Sequence, residues 1–348
     1  MYSKREELKK FRILKGPLID VRSPGEYYKG NMPNSINIPL FDNEERSIVG
    51  TVYKKYGREK AVIKGLEILD NKIDILINNL FKTINYYKEN NSQDKSIEPT
   101  LKIYCARGGM RSLSISWLIQ KFKIKSVTLK GGYKSYRKWT IDSFSKKWKI
   151  IIIGGKTGTG KTKLLKLLSK NNYQVIDLEG LANHRGSTFG GLGMKEQPSN
   201  EKFENIIAEK LKEFKKNKPI LVESESSNIG KCKIPHEFFN LMKKAPRIEI
   251  IRSYSNRIEE LIKTYSIFDA EHLKNSVLRI KKRLGPQRTK IAIEAINKKD
   301  WESVCKAVLE YYDKCYEFEK SGIKDIKRLD MTNIFDDKKT LKQIKDFI

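Results

Sequence analysis

The sequence predicts two α/β domains in tandem, the first over residues 1–140 and the second over 148–348, the second ending in a basic helical part. Three observations predict this. Short apolar strand-like runs alternate with helical stretches, and the alternation stops near residue 140 and restarts near 148. Each series carries a glycine-rich loop between a strand and a helix. At 348 residues the chain also exceeds what one core usually organises.

In the first series "LIDV" (18–21) reads as a short buried strand, "SPGEYYKG" as a turn and short helix, and Ile36–Ile38 as a second strand. From Gly65 to Lys88, apolar residues such as Leu66, Leu69, Ile73, Leu76, Leu80 and Ile84 recur at helical spacing, predicting one long amphipathic helix. The polar stretch "KENNSQDKSIEPT" (88–100) reads as a loop. Strand "LKIYC", a loop at Cys105, helix "SLSISWLIQKF", strand "SVTLKGG" and helix "YKSYRKW" complete the domain. Thr140–Lys147 reads as a linker.

The second series opens with strand "WKIIIIG" and a helix starting at Lys161. Strands at "YQVIDLEG", "PILVES" and "RIEIIRS" then alternate with helices, as in a parallel sheet. Residues 269–319 read as helical and rich in Lys and Arg. A last strand, "IKRLDMT", and the helix "DKKTLKQIKDFI" close the chain.

Composition narrows the class. Hydrophobic residues at 39% and aromatics at 10% describe a globular chain, not a disordered one. The apolar runs are too short for a bilayer, and "MYSKREELKK" has no apolar core behind it, so neither membrane nor secretory signal is expected. Four cysteines without C-x-x-C spacing argue against a disulfide framework or a zinc site and for free thiols in the cytoplasm. A formal net charge of +29 points to a polyanionic partner such as nucleic acid. Dispersed lysines on a solvated surface are the plainer alternative.

Two loops carry the chemistry. Gly155-Lys156-Thr157-Gly158-Thr159-Gly160-Lys161-Thr162 fits G-x-x-x-x-G-K-S/T between an isoleucine-rich strand and an apolar helix, the context of a phosphate-binding P-loop. Gly155, Gly158 and Gly160 let backbone N–H groups turn onto phosphate oxygens at a helix N-terminus. Lys161 adds a charge, and Thr162 offers a hydroxyl to a metal such as magnesium; no residue set is assigned to a metal of its own. "LVESES" stands where such domains place an acidic strand end, with Glu223 and Glu225 as candidates for a metal-bound water or for capping the next segment. "DLEGLANHRGSTFGG" groups Glu179, Asn183, His184 and Arg185 in a glycine-punctuated, ligand-facing segment.

In "YCARGGMRS", Cys105 lies between a strand and a helix with Arg107, Gly108, Gly109 and Arg111 around it. Backbone N–H groups, a helix dipole and two guanidiniums favour the thiolate, the nucleophilic form. The alternative, an inert buried cysteine, fits such polar neighbours poorly. Cys305 and Cys315 follow a helical pattern and read as packing; Cys232, between two lysines, is the rival thiol.

"LIDVRSPGEYYKGNMPNSINIP", the cysteine loop and "LKGGYKSYR" together resemble a rhodanese domain. Rhodaneses typically show His and Ile where this chain has Asn31 and Met32, a change of packing. With "PLFDNEERSIVGTVYKKYGREKAVIKG", the P-loop, "DLEGLANHRGSTFGG" and "ESESSNIGKCKIP", residues 16–235 resemble the tRNA 2-selenouridine synthases; Ala106 departs from the aromatic residue of many members. The resemblance implies a rhodanese-like domain followed by a P-loop NTPase-like domain. It also implies replacement of the 2-thio sulfur of a tRNA wobble uridine by selenium from selenophosphate. S-geranylation from geranyl diphosphate is implied as an intermediate step. Cys105 would carry selenium as a perselenide held by Arg107 and Arg111, and the P-loop would hold a diphosphate. tRNA and a selenophosphate-supplying enzyme are the implied partners. For the tRNA, "RIKKRLGPQRTK" (279–290), with Lys281, Lys282, Arg283 and Arg288, offers six positive charges and no acidic residue. Two other readings stay open: a sulfurtransferase fused to a P-loop kinase or NTPase, and a non-catalytic tRNA-binding module.

Overall fold

The computed structural model describes residues 4–90, 98–320, 326–332 and 337–348. The chain divides into two compact units, Met1–Ser143 and Phe144–Ile348.

The first unit runs β1 (Lys4–Glu6), α1 (Leu8–Ile13), β2 (Leu18–Asp20), α2 (Pro24–Lys29), β3 (Ile36–Asn37), α3 (Asn43–Asp70), α4 (Ile73–Asn90), β4 (Leu101–Tyr104), α5 (Met110–Lys121), β5 (Ser126–Leu129) and α6 (Gly132–Phe144). Its five strands form one parallel sheet in the order β1-β5-β4-β2-β3, so β4, which leads into Cys105, is central. Burial follows from that position: Leu101, Ile103 and Tyr104 of β4 are fully enclosed, with Leu76, Leu80 and Ile84 of α4 in the same core as Leu101 and Ile103. α2 starts on a capping box, with Ser23 and Glu26 satisfying each other's backbone N–H groups.

The single helix expected over residues 65–88 is two helices. α3 ends at Asp70 and α4 begins at Ile73, across a turn at Asn71–Lys72. The apolar spacing continues through the turn, which hides it. Asp70 and Asn71, whose short polar side chains compete for backbone bonds, are where the helix stops. Thr140–Phe144, read as linker, continues α6; within 88–100, residues 91–97 lie outside the described residues. β1 and α1 were not visible in the sequence pattern; β1 exists only as an edge strand against β5.

The second unit runs β6 (Ile150–Gly154), α7 (Lys161–Lys170), β7 (Gln174–Ile176), α8 (Leu178–Ala182), α9 (Asn200–Glu213), β8 (Ile220–Glu223), β9 (Asn228–Ile229), β10 (Cys232–Lys233), α10 (His236–Lys244) and β11 (Arg247–Ile251). It continues with α11 (Tyr254–Tyr265), α12 (Ala270–Arg279), α13 (Lys281–Leu284), α14 (Pro286–Asn297), α15 (Trp301–Lys320), β12 (Ile326–Asp330) and α16 (Asp337–Phe347). Five parallel strands are ordered β12-β11-β6-β8-β7, and β9 and β10 form a separate antiparallel pair. β6 is again central, and its carboxyl end opens into the phosphate loop, where open parallel sheets bind ligands. Among the described residues no helix is long and apolar enough to cross a membrane.

Candidate active sites

Cys105 leaves the carboxyl end of β4, and α5 begins five residues later behind the N-cap Gly109. Sγ lies 3.2 Å from Ser112 Oγ and 3.9 Å from the Gly109 carbonyl. The loop is locked from outside. Tyr133 N–H donates to the Cys105 carbonyl at 2.8 Å and Lys134 N–H to that of Ala106 at 2.9 Å. A Cβ on Gly132 would stand 2.3 Å from both the Cys105 oxygen and the Gly108 nitrogen, and one on Gly108 would stand 2.4 Å from the Leu129 oxygen. With φ of +58° and +63°, these two glycines let "CARGG" and "LKGG" interlock. The carbonyls of 105 and 106 are thereby used, while the N–H groups of Ala106, Arg107, Gly108 and Gly109 donate no hydrogen bond among the described residues. They are free for an anion.

Two expectations are corrected here. Cys105 is 3% exposed and belongs to the apolar core of its unit, despite its polar neighbours. Arg111 does not add an unmatched charge: its NH1 and NH2 meet Glu26 Oε2 and Oε1 at 2.6 and 3.2 Å. Burial works to raise the Glu26 pKa, and the bond to Arg111 with its charge reverses this and holds it below the usual range. Arg107 is exposed and unpaired among the described residues, so it is the arginine left to meet a ligand. Asn31 and Met32 pack beneath the loop. Asn31 Nδ2 donates to the Met32 carbonyl and to Ser35 Oγ, and Met32 N–H to Tyr104 Oη.

In the second unit Gly155, Gly158 and Gly160 all take positive φ. Lys161 Nζ donates to the Gly155 carbonyl at 2.8 Å, and Thr162 Oγ1 stands 3.4 Å from Glu179 Oε2. The N–H groups of Gly158, Gly160, Lys161 and Thr162 donate nowhere among the described residues. The loop is clamped by residues that local sequence does not reveal. Arg257, buried, donates Nε to the Thr157 carbonyl at 2.8 Å and forks onto Asp313 at 2.9 and 2.5 Å. Gly155 N–H donates to Tyr316 Oη at 2.6 Å, and that hydroxyl donates to the buried Glu249 at 2.7 Å. Asp313 and Tyr316 sit one turn apart on α15, a spacing that was the only available signal.

The acidic residues gather near Thr162. Glu223 Oε1 accepts from Glu179 N–H at 2.6 Å, whereas Oε2 is buried without a partner. Burial, then the charges of Asp177 and Glu179, hold Glu223 well above the carboxylate range. Burial also raises Glu179, against the pull of Lys161. The carboxylates of Glu179 and Glu225 both face Gly186, where a Cβ would meet them at 3.0 and 2.7 Å. The other segment residues hold their own loop: Asn183 Nδ2 donates to the Glu196 carbonyl and Arg185 NH1 to that of Leu192. His184 Nδ1 is buried and unpartnered, and burial, with Arg185 beside it, lowers its pKa.

The family model for the tRNA 2-selenouridine synthase AAA domain matches residues 148–336, and the rhodanese-like domain model matches 4–139. The tRNA 2-selenouridine synthase of Psychromonas ingrahamii is 31% identical over 340 residues, 88% of each chain. That of Pseudomonas putida is 32% identical over 89% of this chain and 90% of its own. The chain belongs to the tRNA 2-selenouridine synthase family. The match to the Nitrosomonas europaea synthase, 35% identical, covers 75% of this chain but 66% of that protein.

Outside the two loops of this family member, the rival thiol Cys232 is fully buried in β10, and burial raises its pKa. Cys305 is pushed up to about 11 by burial and by Glu302. Lys281, Lys282 and Arg283 are exposed on α13. Arg288 is not free: its NH2 lies 2.5 Å from Glu310 Oε1 of α15, and Lys290 has Glu294 at 3.9 Å. The segment lacks acidic residues in sequence, but the fold brings two to it.

Proposed function

We propose that this chain is a tRNA 2-selenouridine synthase. It would replace the 2-thio sulfur of a modified wobble uridine with selenium from selenophosphate, through an S-geranyl intermediate made from geranyl diphosphate. The observation that carries the geranyl step is an apolar pocket beside the phosphate loop. Its wall includes Thr157 of the loop with Phe189, Tyr265, Trp301, Val308 and Tyr312. A nucleotide base asks for polar edge contacts, whereas a ten-carbon chain asks for this lining.

In the proposed reaction the thiouridine sulfur attacks C1 of geranyl diphosphate and the C–O bond breaks. The departing diphosphate is held by the free loop N–H groups and Lys161. The Thr162 hydroxyl and the Glu179 carboxylate, hard oxygen donors 3.4 Å apart, would hold magnesium, which would supply positive charge for the leaving diphosphate. Among the described residues no three His, Cys, Asp or Glu are grouped to hold a metal unaided. The alkylated sulfur then leaves as geranyl thiolate when selenium enters. Cys105 is the group through which selenium passes, its anion held by the loop N–H groups and Arg107. As a perselenide it carries selenium two electrons above selenophosphate, so loading it consumes an oxidant such as a disulfide. Delivering selenium to C2 breaks the S–Se bond with two electrons from a dithiol, which leaves as a disulfide.

The test separates the loops. Cys105→Ser is expected to abolish selenouridine formation while S-geranylation and tRNA binding persist. Lys161→Ala removes a charge-assisted bond of about 1.5–3 kcal/mol and should weaken geranyl diphosphate binding roughly ten- to hundredfold. Mass spectrometry of the tRNA nucleosides reads both. Normal geranylation by Lys161→Ala, or ATP binding more tightly than geranyl diphosphate, would reject the assignment of the P-loop.

A further inference from the structure

Residues 53–60 of α3, "YKKYGREK", are all solvent-exposed. A helix that packs on its own domain buries a residue every three or four; here eight in succession touch no core. Tyr53 and Tyr56 are 59% and 68% exposed, and further along Ile63 and Leu66 are 53% and 62% exposed. The side chains of Tyr53, Lys54, Lys55, Tyr56, Arg58 and Lys60 make no hydrogen bond, ion pair or ring contact among the described residues. Gly57, at φ 83° and ψ −175°, kinks α3 directly after Tyr56 and before Arg58, and a Cβ there would meet open space.

Large rings left in water without a packing role mark a surface that something else covers. The charge says what. Four cations stand against the single Glu59 in these eight residues, on a chain of net charge +29. A protein partner would be expected to meet an uncharged apolar patch, but here Lys54, Lys55 and Arg58 crowd the rings. Aromatic rings interleaved with cations are the arrangement that takes unpaired nucleotides, with bases stacked on rings and phosphates against the cations.

We infer that the exposed arm of α3 grips unpaired nucleotides of the tRNA loop, with Tyr53 and Tyr56 as stacking platforms and Lys54, Lys55 and Arg58 as phosphate contacts. This rests on the reading of tRNA as substrate. The test measures binding of a fluorescent anticodon stem-loop RNA, and of a fully paired duplex of the same stem, across a salt series. Tyr53→Ala with Tyr56→Ala should weaken stem-loop binding at least about tenfold and leave duplex binding nearly unchanged. The corresponding double Phe variant, which keeps both rings, should bind the stem-loop as wild type does. Gln at 54, 55 and 58 should weaken both RNAs and flatten the log–log salt slope by about 2. Because these side chains are exposed, melting temperatures should not move. Wild-type affinity in the Ala and Gln variants overturns the arm and leaves tRNA as substrate intact; a wild-type chain that binds neither RNA overturns both. Unchanged RNA affinity with loss of self-association in the Ala variant would make the arm a contact between copies.

Discussion

Glu223 is a carboxylic acid in a place that penalises its anion. It ends β8 with Oε2 buried and unpartnered, and with Asp177 and Glu179 near enough to raise its pKa further. Since its folded pKa lies above its unfolded one, the folded state binds the extra proton, and Glu223 costs stability as pH rises above the ordinary carboxylate range. Glu223→Gln keeps the acceptor for Glu179 N–H and cannot ionise. The variant is expected to melt near wild type at pH 5 and increasingly above it towards pH 8. Each 1 kcal/mol shows as roughly 2–4 °C in a domain of this size. A melting-temperature difference that stays flat with pH would mean Glu223 is ionised in place. At this scale the two loops that hold Cys105, Lys161 and Thr162 were legible because each is a short local pattern between a strand and a helix. Arg257, Asp313 and Glu26 were not, because their partners lie 100, 56 and 85 residues away.

Among the elements, β6 was legible from its continuous isoleucine run and β4 from the apolar residues on either side of Lys102. Central parallel strands are buried on both faces and need no alternation to be recognised. The break between α3 and α4 was hidden by uninterrupted spacing, and β1 by having three residues and no buried face. α15 holds the least expected role. It reads as one more charged helix, yet Asp313 fastens the phosphate loop through Arg257, and Tyr316 holds it directly at Gly155 N–H with its own hydroxyl donating to Glu249. Asp313→Asn leaves a buried guanidinium short of its counter-charge, a change commonly costing about 3 kcal/mol. A lower melting temperature and weaker pyrophosphate binding are expected, measured by scanning and titration calorimetry. Wild-type values for both would remove α15 from the loop's support.

Over the whole molecule the net charge of +29 sets the salt response. Lys281, Lys282 and Arg283 stand exposed on α13, whereas Arg288 is matched by Glu310. Replacing the three with Gln should weaken full-length tRNA binding and lower the salt slope by roughly 2–3, at about 0.7–0.9 for each phosphate no longer neutralised. Arg288→Gln should change the slope little. Filter binding from low to moderate salt distinguishes them; an unaltered slope in the triple variant would leave α13 as ordinary surface.

The fastening of the phosphate loop also has a consequence for how the protein is made. Tyr316, which receives the Gly155 N–H, follows it by 161 residues. At bacterial and eukaryotic elongation rates of about 5–20 residues per second, that interval is roughly 8–30 seconds. Throughout it the nascent chain already displays G-x-x-x-x-G-K-T but lacks the helix that sets its shape. Ribosome-bound chains halted before α15 should therefore carry the motif and fail to retain a diphosphate.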